Sequence, residues 1–389
     1  MKPIRCAIGE LRLNQFRSYA SAVLEPDGAS VALYGPNGAG KTNVLEAVSL
    51  LVPGRGLRRA TSEELVRKPA GPGWRIRAGI TGAEGDAEVM TGTEQDAPGR
   101  RIEIDGKTAP QLALGRHLRM VWLTPVMDRL WLEGAGDRRR FLDRAALGFF
   151  PNHGEASLAY EKAMRERNRL LKDGVSDTAW LSGLEGQMSR QGAKIARARA
   201  LTLSHLAAAQ TAAESLFPRA DLAILNPMEN RFAEVIRSQG FVGDTLDQIE
   251  IEEAASLAHE LAAGRGRDQA AGRALTGPHR ADLEAIYAAK EMPARVCSTG
   301  EQKALLISLI LANARALKTS GVTPIVLLDE VAAHLDQDRR AALYGEIDAL
   351  GCQAWMTGTG PELFEELPAS TRQIRVSDDG SGSVLEPVS

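Results

Sequence analysis

The residues best suited to chemistry in this chain fall in three short stretches. They are Lys41 and Thr42 in "GPNGAGKT", Asp329 and Glu330 in "IVLLDE", and Ser298 and Gly300 in "VCSTGEQKALL". The first matches G-x-x-x-x-G-K-[ST] at residues 35 to 42, between an apolar run and a helical pattern. Gly35, Gly38 and Gly40 let backbone N–H groups wrap phosphate oxygens where a Cβ would clash, with Pro36, Asn37 and Ala39 completing the loop. Lys41 is placed to reach the β- and γ-phosphates of ATP, and Thr42 to hold Mg²⁺ through its hydroxyl. At the end of the apolar run, Asp329 suits the Mg²⁺ shell. Glu330 suits a base that orients and deprotonates an attacking water. A strand ending in Asp-Glu says little by itself; paired with a phosphate loop it says much more.

Ser298, Thr299 and Gly300 open a helix whose apolar positions recur through "KALLISLILANAR". Such a start presents unpaired N–H groups and suits an anion. One loop and one lysine already satisfy one triphosphate. The second device is therefore expected to cap the γ-phosphate of ATP bound to another copy of the chain, in a two-fold dimer holding two nucleotides. The alternative is an N-cap and turn that serve local structure alone.

These groups need a scaffold. "CAIGELRLNQF" alternates and "ASVALYG" is a short apolar run, so the first 35 residues read as strands. A helix is predicted from Lys41 until Pro53 and Gly54 stop it. Residues 69–110 predict a small antiparallel sheet with a hairpin at "IDGK". "RMVWLTP" reads as a buried strand. About 150 residues of helical pattern follow it, including "EASLAYEKAMRERNRLLKDG" and a long stretch from Thr178 that Gly183, Gly186 and Gly192 could break. Strand and turn character returns near residue 274. The expectation is an α/β nucleotide-binding core of two sequence-distant lobes with a helical insertion: 1–118, then an arm at 119–273, then 274–389.

The bulk numbers narrow the classes. The chain has 389 residues, 44% of them hydrophobic and 25% charged, with a net charge of −3, so it is no overall polycation. No apolar run reaches the roughly 18 residues that would span a bilayer, and the start lacks signal-peptide features. Cys6, Cys297 and Cys352 are few, odd in number and far apart, which predicts a reduced, cytoplasmic setting without disulfides or a zinc ribbon. Residues 138–200 carry 13 Lys or Arg against 7 Asp or Glu, which fits a phosphate-tracking surface or a solvated helical face.

These stretches resemble the ABC-type ATPase heads. "CSTGEQK" is similar to their signature loop, with Glu301 in place of the usual glutamine as in SMC-like relatives. "AAHLD" is similar to their D-loop, with Asp336 reaching across the dimer. More narrowly, "LNQFRSY", "GPNGAGKTNVLEAV", "RRRFLDR", "GPHRADL", "CSTGEQKALLISLILA" and "LLDEVAAHLD" resemble the RecF family in order and spacing over nearly the whole chain. That resemblance implies a P-loop ABC-type α/β head with an inserted helical arm, ATP- and Mg²⁺-dependent dimerisation on DNA, and slow, DNA-stimulated hydrolysis acting as a switch. It implies recognition of gapped or single-strand/double-strand junction DNA and partnership with RecR. RecO and RecA loading lie downstream, in recombinational repair, fork maintenance and the SOS response. It also places Arg17, in "QFRSY", near the nucleotide phosphates.

Three departures stand out. Thr357 or Thr359 occupies the position where transporter ATPases carry histidine, no glutamine follows "VWLTP", and Ala281 replaces an acidic residue in "GPHRADL". The missing histidine and glutamine argue against a transporter's energising subunit. A coiled-coil chromosome or break-repair ATPase would need a far longer insert. For DNA, the candidates are Arg138, Arg139, Arg140 and Arg144 beside "FLDR", and Arg55, Arg58 and Arg59 after the first helix. Arg165, Arg167, Arg169, Arg197 and Arg199 are expected to line a cleft between two subunits. Backbone contact needs only positive charge and reach. The alternative for Arg138–Arg140 is to brace the arm.

Overall fold

In the strand Ala7–Phe16, Ile8, Leu11 and Leu13 are buried opposite Ile80, Ala78 and Ile76, with a register shift between Ile8 and Glu10. The computed structural model describes residues 3–68, 73–94, 99–175 and 177–388. Parts of the predicted 69–110 sheet therefore lie outside the described residues. The chain divides into one unit of Met1–Asp128, Ala213–Phe217 and Leu306–Ser389, and another of Arg129–Ala212 and Pro218–Leu305.

In the first unit, Ala7–Phe16 pairs antiparallel with Tyr19–Leu24 on one side and Gly73–Gly82 on the other. Gly85–Glu94, Arg101–Ile104 and Lys107–Thr108 extend this sheet to six strands. The "IDGK" turn closes as expected, with Asp105 at φ 50° and Gly106 at φ 73°, the pair of positive angles a tight hairpin requires.

A second six-stranded sheet carries the phosphate loop. Val31–Tyr34 lies between Ala354–Gly358 and Arg372–Asp378, parallel to both. Ile325–Leu328 lies parallel between Ala354–Gly358 and Met120–Leu123. The side chains of Ile325–Leu328 and Ala354–Gly358 are buried throughout, the pattern of a sheet covered on both faces. Ser383–Pro387 closes the edge as an antiparallel hairpin with Arg372–Asp378. The fully buried Gln353 ties the two sheets together: its Nε2 donates to the carbonyls of Ile8 and Ala29 at 2.9 Å, and its Oε1 accepts from the Ile8 N–H at 2.8 Å.

The second unit is mostly helical. Ala135–Phe149, His153–Lys172, Thr178–Thr211, Pro227–Gln239, Gly243–Ala263 and Arg265–Ala271 accompany a three-stranded sheet. Thr178–Thr211 runs unbroken through Gly183, Gly186 and Gly192 for 34 residues. At Gly192 an added Cβ would lie 2.9 Å from Leu257 Cδ2, so the glycine serves close helix packing. The sheet departs from the sequence reading. Ala220–Leu225 lies inside the span read as helical and pairs antiparallel with Asp282–Tyr287. Residues 274–305 thus fold with the helices, beyond the boundary expected at 273.

Candidate functional site

The phosphate loop sits between Val31–Tyr34 and the helix Lys41–Ser49. Gly40 caps that helix at φ 107°, and a Cβ there would lie 2.3 Å from Ser383 Oγ. A Cβ on Gly35, at φ 151°, would lie 2.0 Å from the Val376 carbonyl oxygen. Both glycines are required by conformation and by close approach. An added Cβ on Gly38 would meet nothing within 4 Å, so the crest of the loop is open to a ligand.

The neighbours of Gly35, and the nearest one of Gly40, come from the hairpin of Arg372–Asp378 and Ser383–Pro387, which sequence reasoning missed. Ser383 Oγ donates to the Ala39 carbonyl at 2.5 Å and lies 2.6 Å from Ser18 Oγ. Tyr19, fully buried, donates its hydroxyl to the Gly40 carbonyl at 3.1 Å, so it packs under the loop and is no platform for a base.

Lys41 is 4% exposed, and its ammonium donates to the carbonyls of Gly35 at 2.7 Å and Pro36 at 2.9 Å. Burial lowers its pKa, while Glu330 and Asp329 oppose that shift. A cation folded back onto its own loop is positioned to exchange carbonyl oxygens for phosphate oxygens.

Thr42 and Asp329 meet as expected: Thr42 Oγ1 donates to Asp329 Oδ1 at 2.8 Å. Thr357 Oγ1 donates to the same oxygen at 2.9 Å and accepts from the Glu330 N–H, also at 2.9 Å. Thr357, at the position where an imidazole is absent, thus links both acidic residues. Glu330 follows the strand at φ 53°, a left-handed conformation that turns the chain sharply after Asp329. Among the described residues no three His, Cys, Asp or Glu side chains converge as a metal cage. A hydroxyl and a carboxylate joined by a 2.8 Å hydrogen bond do fit Mg²⁺, which keeps waters and takes phosphate oxygens as further ligands.

Arg17 is differently employed from the expected phosphate ligand. At φ 53°, it clasps the fully buried Glu46 carboxylate with Nε and Nη2, each at 2.8 Å, and donates Nη1 to the Glu64 carbonyl. Its fork is occupied inside the chain. Of the cluster after the first helix, Arg58 is exposed but donates to Asn43 Oδ1 at 2.9 Å; Arg55 and Arg59 are exposed.

In the second unit, Ser298 and Glu301 form a capping box at the start of Thr299–Thr319. The Ser298 N–H donates to Glu301 Oε2 at 2.8 Å, its hydroxyl donates to the same oxygen at 2.9 Å, and the Glu301 N–H returns to Ser298 Oγ at 3.4 Å. In the first unit Asp336 caps Gln337–Leu350 by accepting from the Arg339 N–H at 2.8 Å, and its side chain is exposed.

The arm arginines require correction. Arg167 is fully buried, donating to Glu185 at 3.0 Å, Asp268 at 2.7 Å and the Leu261 carbonyl. Arg199, 4% exposed, forks onto Asp143 at 2.8 and 3.0 Å and reaches Glu229 and the Pro278 carbonyl. Arg197 pairs with Asp247 and Glu250. These three hold the helices together, and Arg167 and Arg199 are too buried to line a DNA cleft. Arg138 forks onto Asp282 at 2.7 and 2.8 Å, and Arg139 donates to the Ala281 carbonyl at 2.6 Å, so both brace the "GPHRADL" strand. That contact uses the backbone of Ala281, whose side chain is buried, so alanine serves there. Arg140 pairs with Asp137 on the surface, and Arg144 is half-buried. Charged residues at helical spacing look alike in sequence whether they face water or a buried carboxylate.

Residues 7–381 match the family model described as RecF/RecN/SMC N terminal domain. The chain is 46% identical over 380 residues to the DNA replication and repair protein RecF of Mesorhizobium japonicum, covering 96% of this chain and 97% of that protein. It is 47% identical over 381 residues to the protein of the same name from Brucella suis biovar 1, covering 97% and 96%. Its fold is similar to a solved structure of the recombination mediator protein RecF-ATPrS in the RecFOR pathway, at a TM-score of 0.81 and 22% identity over 100% of both chains.

Proposed function

Because the chain belongs to the RecF family of DNA replication and repair proteins, within the broader RecF/RecN/SMC N-terminal domain group, we propose that it is an ATP-driven clamp on gapped or junction DNA. The observation that carries the reading is the hydrogen-bonded set of Thr42, Asp329, Glu330 and Thr357 in the same unit as the open phosphate loop, onto whose carbonyls Lys41 folds. Mg²⁺, bound with ATP, supplies charge neutralisation at the phosphates; Thr42 and Asp329 would hold it. Lys41 binds phosphate oxygens by leaving its loop carbonyls. Glu330 holds the attacking water and takes its proton, and Thr357 fixes the backbone from which Glu330 works. Ser298, Gly300 and Asp336 of one copy complete the nucleotide site of the other, so dimer formation follows ATP and hydrolysis reopens it. Slow turnover makes this cycle a timer. On DNA, the clamp works with RecR and RecO to promote RecA loading. Of the basic candidates, Arg55, Arg58, Arg59, Arg140, Arg165 and Arg169 are exposed to solvent, where phosphate can reach them.

Fluorescence anisotropy of a labelled gapped duplex tests the coupling of nucleotide to DNA. ATP–Mg²⁺ is expected to tighten wild-type binding by about tenfold over ADP–Mg²⁺, a typical coupling between two sites. Lys41→Ala should bind with the weaker constant in either nucleotide. Equal tightening in Lys41→Ala would refute the proposed switch.

A further inference from the structure

The helix start at Ser298 already holds an anion of its own. Glu301 Oε2 accepts both the N–H and the hydroxyl of Ser298, at 2.8 and 2.9 Å. Those are the donors a phosphate would need. The other carboxylate oxygen accepts from Lys290 Nζ, on the turn Ala288–Lys290. Beside this cap the surface is open, since a Cβ on Gly300 would meet nothing within 4 Å. The carboxyl is kept ionised: Lys290 and then the Ser298 donors hold it down at about 2. An incoming phosphate therefore meets a full negative charge bonded to the groups it must engage.

Resting on the reading that Ser298 meets a partner's nucleotide, we propose that the Glu301 carboxylate is a built-in competitor for that phosphate, and that Lys290 is the positioning residue that weakens it. The ion pair draws charge away from the Ser298 side of the carboxylate, so Lys290 favours closure without touching phosphate. The pair therefore sets how much nucleotide and protein closure requires. Glutamine at position 301 would keep an acceptor for the cap while removing the charge, so it separates competition from helix stability.

The test is sedimentation equilibrium of the full chain with ATPγS–Mg²⁺ at about 0.1 M salt, where charges within a Debye length still interact. Glu301→Gln is expected to tighten the dimer about tenfold, from a few-fold effect at each of two sites. Lys290→Ala should loosen it by a similar factor, and Lys290→Arg should restore the wild-type constant. In the Glu301→Gln background, Lys290→Ala should have no effect. If it loosens that dimer too, Lys290 binds phosphate directly and the proposal falls. An unchanged dimer in Glu301→Gln overturns it as well. Ser298→Arg, run alongside, separates the two levels: a dimer that survives this change refutes the shared nucleotide site itself. A dimer lost in Ser298→Arg but indifferent to Glu301→Gln refutes the competitor alone.

Discussion

Glu330→Gln is expected to lower the ATP hydrolysis rate by about 10²–10³-fold while changing nucleotide affinity by no more than a few-fold. Glutamine matches the shape of glutamate but cannot take a proton at neutral pH. The backbone there is held independently of the side chain: the 330 N–H donates to Thr357 Oγ1 at 2.9 Å, and Thr357 is itself anchored on Asp329 Oδ1. The left-handed turn at φ 53° should therefore survive the substitution. Lys41, Thr42 and Asp329 would still bind phosphate and Mg²⁺. The variant should accumulate as an ATP-bound dimer because closure no longer leads to reopening. Single-turnover phosphate release, measured beside equilibrium nucleotide binding, checks both halves of this expectation. A rate reduced less than about tenfold would mean that the proton goes elsewhere. A parallel loss of affinity would make Glu330 a binding group.

Arg199→Ala is expected to destabilise the second unit by about 3–5 kcal/mol, the usual consequence of leaving a buried carboxylate without its cation. Arg199 serves Asp143, Glu229 and the Pro278 carbonyl at once. Burial opposes ionisation of Asp143, yet the charge of Arg199, with hydrogen bonds from His153 and Arg199, holds its carboxyl well below the usual range. Burial pushes Glu229 upward, and Arg199 only partly offsets that. Removing the guanidinium leaves the fully buried Glu229 without its cation, while Asp143, whose side chain is 30% exposed, keeps His153. Thermal unfolding followed by circular dichroism should show a drop of about 10 °C for the affected unit. The exposed Arg140–Asp137 pair is the internal control, and Arg140→Ala should change stability by less than about 1 kcal/mol. If Arg199→Ala melts like wild type but loses DNA, Arg199 is a DNA contact and its buried bonds have been misjudged.

The phosphate-loop geometry was legible because its information is local. Glycines at 35, 38 and 40, a lysine, a threonine and an apolar strand ending in Asp-Glu each carry a physical requirement that spacing expresses. The helix start at Ser298 was legible as a helix start, and its Ser298–Glu301 capping box is the local arrangement given there as the alternative. The hairpin Arg372–Asp378 with Ser383–Pro387 was not, because its contribution is made over long sequence distance. Ser383 supports Ala39 across 344 positions, and no periodicity announces such a bond. The strand Ala220–Leu225 was hidden by a half-exposed pattern between strong helices. Its pairing with Asp282–Tyr287 is again non-local. Arg167 and Arg199 misled for a further reason: burial of an arginine depends on carboxylates from other helices, which its own neighbours in sequence do not reveal.

We propose that one copy's Ser298 helix start completes the other copy's ATP site. Sedimentation velocity of wild type and Ser298→Arg, each with ATP–Mg²⁺, ADP–Mg²⁺ or no nucleotide, decides it. The shared site predicts that wild type forms a dimer with ATP alone, that gapped duplex strengthens it, and that Ser298→Arg stays monomeric while still binding one ATP per chain. A Ser298→Arg protein that dimerises with ATP as wild type does would contradict it.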